Sequence, residues 1–311
     1  MVADAPPSAA SAWRRWGYRL LPGDGFSYLL HLRPAEWPIM AAHTALGWVL
    51  AVGVRGALHG EHLGDALTAL VLWVVLLNGG TLALNTAFDR DEGDIGYLRS
   101  PPPVPRYLLP FSVALLAGGQ LLALSLPAAF QIDYGICFAM SVLYSVPPFR
   151  FKAVAGLDWV INMWGFGTLT PFAAWAATGR ALDTGHALVL LAFCPLFAAL
   201  YPLTQLYQFD EDRRRGDRTL ALILGMRKSL AIAIGCALLA FALFGAAVIV
   251  LGIGVGWGLV LAMPLAAWLV VLFPWYAAHE RWSPAEHQRG MYQALTAWAL
   301  TDIAVLAVFA R

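Results

Sequence analysis

Nine stretches of nearly uncharged sequence constrain this chain most, because each is long enough to cross a lipid bilayer: residues 38–57, 65–84, 107–126, 128–146, 157–177, 187–208, 229–251, 255–278 and 291–310. A transmembrane helix needs ~17–25 residues. Within hydrocarbon the backbone must satisfy its own hydrogen bonds, and a helix does so inside a single segment. Only 13% of the 311 residues are charged, about half the share usual in soluble domains, so a buried soluble core does not account for these runs. The expected fold class is an all-α polytopic membrane protein with nine transmembrane helices.

The connections alternate in character. The amino-terminal segment and the inner connections 85–106, 147–156, 209–228 and 279–290 hold nearly all the Lys and Arg, whereas the outer side has only Arg55, Arg180 and Arg311. By the positive-inside rule the amino terminus and these richer loops face the cytoplasm and the carboxyl terminus lies outside, which an odd number of spans requires. A bacterial-type plasma membrane is the expected location. Residues 1–31 read as a partly disordered cytoplasmic segment and 32–311 as one transmembrane domain. Arg14-Arg15 precedes no adjacent apolar run, so no cleaved signal peptide is expected. Net charge is +1, so nucleic acid is not an expected partner. Cys137, Cys194 and Cys236 all fall inside predicted spans, without metal-ligand spacing, and read as small buried hydrophobes.

Two acidic clusters stand at the inner mouths of spans: Asn85-Thr-Ala-Phe-Asp89-Arg-Asp91-Glu92-Gly-Asp94 after the second, and Gln208-Phe-Asp210-Glu211-Asp212-Arg-Arg-Arg-Gly216-Asp217 after the sixth. Asn85 and Asp89 are four apart and share a helix face, as do Gln208 and Asp212. Solvated helix ends would carry similar charges, but carboxylates at a helix carboxyl terminus oppose its dipole and favour a cation beside them. Magnesium carried on a diphosphate suits such a place, since it takes one or two carboxylates plus phosphate oxygens. A third feature, Tyr144-Ser-Val-Pro147-Pro148-Phe-Arg150-Phe-Lys152, stops the fourth span with two prolines and sets two cations within reach of a diphosphate. Read alone, it is equally a span terminus with snorkelling cations. Among polar residues inside spans, Asn78, Asn162 and Asp302 should face the bundle interior; Asn162 is placed near a cavity, Asp302 against a neighbouring helix, and His43 in a satisfied structural role.

From Leu32 to about Ala310 the chain resembles the UbiA superfamily of intramembrane prenyltransferases. Arg33-Pro34-Ala-Glu-Trp37 is similar to the start of that family's first helix, Asn85-x-x-x-Asp89-Arg90 to the beginning of its first Asp-rich motif, and Tyr144-Ser-x-Pro-Pro-x-Arg-x-Lys152 to its fourth-helix exit. Asp212-Arg-x-x-Gly216-x-Arg-Thr219-Leu220-Ala221 resembles the second motif and its tail, especially in the naphthoate-prenylating branch. Departures occur in both motifs. Thr86 replaces the first Asp of the first motif, Gly93 holds its last position with Asp94 one residue late, and Gln208 opens the second motif with Asp210 inserted.

The resemblance implies a bundle around a central cavity and Mg2+-dependent transfer of an isoprenoid from a prenyl diphosphate to a small lipophilic acceptor, an aromatic or quinone-precursor ring. It implies Asp89, Asp94, Asp210 and Asp212 as catalytic carboxylates, with Asp91 and Asp217 joining them as metal ligands. Asn85, Arg99, Arg150, Lys152, Gln208 and Arg218 would bind diphosphate, and Tyr144, Asn162 and Tyr207 would line the substrate cavity. A terpene cyclase or a carotenoid prenyltransferase shares the same first step. An ion-coupled transporter is the rival of another class, although its site would lie near the midplane rather than at helix ends.

Overall fold

The computed structural model of the protein describes residues 12–21, 23–89, 98, 100–207, 209 and 219–311. Two short helices, α1 (Ala12–Leu20) and α2 (Gly25–His31), come first. The nine apolar stretches then all appear as helices: α3 (Trp37–Leu58), α4 (Leu63–Asp89), α5 (Leu108–Ala123), α6 (Ala128–Ser145), α7 (157–177), α8 (Thr184–Gln205), α9 (Leu220–Val250), α10 (Val255–Ala278) and α11 (Pro284–Phe309). Among the described residues six of them, α3, α4, α8, α9, α10 and α11, are long and apolar enough to cross a membrane. The fifth, α5, is apolar but shorter. The protein is an integral, multi-pass helical membrane protein.

Local chemistry sets the helix ends. Asp183 caps α8 by accepting from the His186 backbone N–H at 3.0 Å, and Ser283 with Glu286 forms a reciprocal capping box at α11. Such caps satisfy donors that a helix cannot pair internally. Thr219 caps α9 in the same way, so this helix starts nine residues before the expected boundary at 229. Gly225, at φ 74°, kinks it just inside the cap. The middles of α4 (Val71–Asn78) and α7 (Met163–Leu169) are wound as π-helix, a local widening that often accompanies functional sites.

The helices pack as two groups. Cluster residues from α4, α5, α6 and the end of α7 surround Trp73, Phe130 and Tyr134. A larger cluster joins α3, α8, α9, α10 and α11 around Phe193, Phe244, Trp268 and Trp275. Between them α3 crosses α7 closely: a β-carbon built on Gly47 would fall on the Pro171 carbonyl oxygen, so only glycine permits this approach. One turn earlier His43 links three helices. Its Nδ1 lies 3.3 Å from both carboxylate oxygens of Asp302 on α11, and its Nε2 3.2 Å from the Gly167 carbonyl on α7. Asp302 thus bonds a neighbouring helix and His43 is satisfied, as expected; Asn78 and Asn162 are buried. Cys137 and Cys194 are buried thiols, and Cys236 is partly buried.

Candidate active site

The carboxyl-terminal end of α4 presents Asn85 and Asp89 on one face, one turn apart. Opposite them, α6 ends at Ser145, and the chain turns through Pro147 and Pro148 into a short 3-10 turn at Phe151–Ala153. Arg150, before that turn, sits at φ 39°, a left-handed backbone conformation unfavourable for a side chain with a β-carbon. Such strain persists where the surroundings enforce it, and here it lets two cations two residues apart converge. The Lys152 ammonium donates to Asn85 Oδ1 at 2.9 Å and forms an ion pair with Asp89. Arg150 approaches the same Asp89 oxygen at 3.5 Å. The Ser145 hydroxyl adds a longer bond to Asn85 Oδ1 at 3.4 Å.

Burial makes this cluster more than a surface ion pair. The side chains of Lys152 and Asp89 are only 10% and 11% exposed, whereas Arg150 is 42% exposed. An exposed pair contributes little, but a dry one is weakly screened and needs complete pairing. The carboxylate also sits at the carboxyl end of α4, where the helix dipole adds negative charge. The oxygens of Asn85 and Asp89 therefore form a cradle that takes cations.

The polar chain continues inward. The Tyr144 hydroxyl lies 3.2 Å from that of Tyr201 on α8. Asn162 donates to the Asp158 carbonyl at 2.7 Å. Aromatic rings line up beyond: Tyr201 stacks with Phe197, which stacks on Phe166 and meets Trp298 edge-on. Tyr207 packs, partly buried, against the larger core cluster.

Asp158 is a participant the sequence reading did not single out. It is fully buried at the start of α7 and accepts from the Gly156 backbone at 2.8 Å, the Leu220 backbone at 3.3 Å and Gln205 Nε2 at 3.5 Å. Gln205 and Leu220 flank the second acidic cluster, so one carboxylate holds both ends of that segment against the loop carrying Arg150 and Lys152. The only hint in the sequence was an acidic residue in a helix's first turn, directly after Gly156-Leu157.

Of the expected site residues, Asn85, Asp89, Arg150 and Lys152 come together, while Tyr144 pairs with Tyr201 and Asn162 with the Asp158 carbonyl. Asp91, Asp94, Arg99, Gln208, Asp210, Asp212, Asp217 and Arg218 lie outside the described residues. Among the described residues no three His, Cys, Asp or Glu side chains group as a metal site. The cradle still fits Mg2+, because its donors are hard oxygens, one of them a carboxylate, with cations already held on them.

Comparison with known proteins identifies the family and the fold. The model of the UbiA prenyltransferase family matches residues 40–299. A digeranylgeranylglyceryl phosphate synthase of Natronomonas pharaonis is 29% identical over 208 residues, 66% of this chain and 71% of that one. A lycopene elongase/hydratase of Haloferax volcanii is 26% identical over 213 residues, 67% of this chain and 68% of its own. Among solved structures, a UbiA homolog from Archaeoglobus fulgidus bound to DMAPP and Mg2+ shares the fold with a TM-score of 0.64 at 18% identity, over 90% of this chain and 99% of that one. A structure of digeranylgeranylglyceryl phosphate synthase aligns with a TM-score of 0.67 at 16% identity, over 91% and 97%. Sequence match and shared bundle together place this chain in the UbiA prenyltransferase family, as a membrane-embedded prenyltransferase.

Proposed function

We propose that this enzyme transfers an isoprenoid group from a prenyl diphosphate to a small lipophilic acceptor in a Mg2+-dependent reaction. The observation that carries the reading is the convergence of Asn85, Asp89, Arg150 and Lys152 at the inner mouth of the bundle, directly beside Tyr144. Asp89 and Asn85 would hold the metal, joined by Asp91, Asp94, Asp210, Asp212 and Asp217. When bound, Mg2+ neutralises the negative charge that develops on the departing diphosphate. Lys152 and Arg150 supply further positive charge to the same oxygens, fixed in place before the reaction begins. Arg99 and Arg218 are proposed to join them, with Asn85 and Gln208 as polar contacts.

Ionisation of the allylic C–O bond leaves a carbocation, which needs a dry, electron-rich surround. Tyr144 and Tyr201 are proposed to supply it, since an aromatic face is worth about 2 kcal/mol or more to a desolvated cation. A nucleophilic atom of the acceptor then forms the new bond to the allylic carbon and gives its proton to the released diphosphate. Asn162, held by the Asp158 carbonyl, and Tyr207 complete the proposed cavity wall. The site loops are proposed to face the cytoplasm and the carboxyl terminus the outside, on the distribution of Lys and Arg. Residues 32–311 are proposed to form the prenyltransferase domain.

Two acceptor readings stay in view. The sequence motifs favour an aromatic or quinone-precursor ring, whereas similarity to a digeranylgeranylglyceryl phosphate synthase and a lycopene elongase/hydratase favours a glyceryl phosphate or a carotenoid. Terpene cyclisation would use the donor alone. Membranes containing the protein, given a panel of prenyl diphosphates with each acceptor class and with none, resolve these by product mass. A Mg2+-dependent adduct of donor and acceptor is expected. Release of a cyclised donor without acceptor would replace transfer by cyclisation.

A further inference from the structure

The matched family region begins at residue 40, and the hairpin ahead of it carries a surface that the proposed reaction does not use. Helix α1 seats its one buried residue, Gly17, on α2, where an added β-carbon would land on the Phe26 ring. Trp13 and Tyr18 meet that ring edge-on at 5.7 and 4.9 Å, and the Tyr18 and Ser27 hydroxyls bond at 3.0 Å. The rest of α1 carries two rows. Trp16 and Leu20, four residues apart, are 64% and 58% exposed, and Trp13, at 52%, lies between them and the Phe26 contact. Arg15 and Arg19, again four apart, form the neighbouring row, and both are exposed.

An apolar flank and a cationic flank side by side mark a helix that lies in the plane of a membrane interface, and tryptophan concentrates at headgroup depth. The hairpin is fixed against the end of α4 that carries Asn85 and the start of α5. Leu32, just past α2, packs with Ala83 of α4 and Leu108 of α5, and the Tyr28 hydroxyl accepts from the Tyr107 backbone at 3.2 Å. The same hairpin grips the chain just beyond the first acidic cluster: Leu98 is buried with Phe26 and Leu30, and Arg14 donates to the Ser100 carbonyl at 2.9 Å.

We infer that the α1–α2 hairpin binds anionic lipid headgroups of the leaflet at the site's mouth and thereby holds the exit of the first acidic cluster in place. Trp13, Trp16 and Leu20 enter the acyl boundary, and Arg15 and Arg19 meet lipid phosphates. Charge favours lipid over a second copy of the chain, since a two-fold contact through this face would set the arginine row against itself.

The test uses the full-length protein in nanodiscs of phosphatidylcholine alone or with phosphatidylglycerol added, and reads amide hydrogen exchange over residues 12–20 and 98–107. Anionic lipid should slow exchange in both segments, by about fivefold for each arginine brought to the headgroups. The double variant Arg15→Gln/Arg19→Gln should lose that response while keeping wild-type exchange in the spans. Gly17→Ala should speed exchange over 98–107 in either lipid. Equal exchange in the two lipids, an unaltered response in the double variant, or protection of α1 that grows with protein concentration would each overturn the inference. No substrate enters the measurement, so its outcome is separate from that of the proposed reaction.

Discussion

At Asp89 a carboxylate, a helix end and two cations meet, and the least exposed of the cations, Lys152, also reaches Asn85. Lys152→Ala should therefore lower kcat/KM by about a hundredfold, as loss of one preorganised charge donor does, with a lowered thermal midpoint because the largely buried Asp89 carboxylate loses its closest partner. Lys152→Arg should recover part of the loss, because a planar guanidinium cannot replace a point charge in a tight cradle. A variant as active as the wild type would remove Lys152 from the site. Asp158 behaves differently, since its work is to hold backbone. Asp158→Ala leaves three donors without their acceptor, at about 1–3 kcal/mol for each one that stays buried. It should lower the thermal midpoint in detergent and the activity together, with Asp158→Asn between the two. The Asn85–Asp89 pair was legible in the sequence because four-residue spacing already shares a helix face. Asp158 was not, because its partners Gln205 and Leu220 are 47 and 62 residues away.

Among the elements, hydropathy located the spans but misplaced some ends. Arg227 and Lys228 interrupt the apolar run, so α9 was expected from 229, whereas the Thr219 cap starts it at Leu220. The π-helical turns in α4 and α7 left no trace in periodicity, since they answer to packing between helices. Helices α1 and α2 were likewise missed: nine and seven residues are too short to stand out beside the long spans. A pH effect belongs to α2. His31 is buried, and burial pushes its imidazole below the ordinary value, helped by the Arg33 charge and opposed by the Pro103 and Pro102 carbonyls. A depressed His is neutral when folded, so the unfolded state binds more protons as pH falls through about 6.5. The stability this provides is present above that pH and lost below it. Protection factors over residues 25–31, which take out the intrinsic pH dependence of amide exchange, should fall on acidification from neutral pH, and His31→Phe should flatten the trend. An equal fall in protection in the variant would assign the effect elsewhere.

Across the whole molecule, two groups of packed helices bring one acidic helix end against a basic loop, and α7 and α8 carry the aromatic line that leads inward from it. The two clusters meet where α3 and α7 cross. Fold class and reaction class were legible because both rest on long, repeated signals: apolar runs of membrane length and polar groups at their inner ends. Acceptor identity was not, because it depends on the shape of a cavity whose wall is drawn from several helices. The central claim is that Asp89 serves a metal–diphosphate reaction. Its most direct test is pyrophosphate release from a prenyl diphosphate by the purified protein in nanodiscs, with and without Mg2+, for the wild type and Asp89→Ala, with thermal unfolding as the control for folding. Release should require Mg2+ and fall by more than about a hundredfold in a variant that remains folded. Full release by folded Asp89→Ala, or release indifferent to Mg2+, would contradict the account.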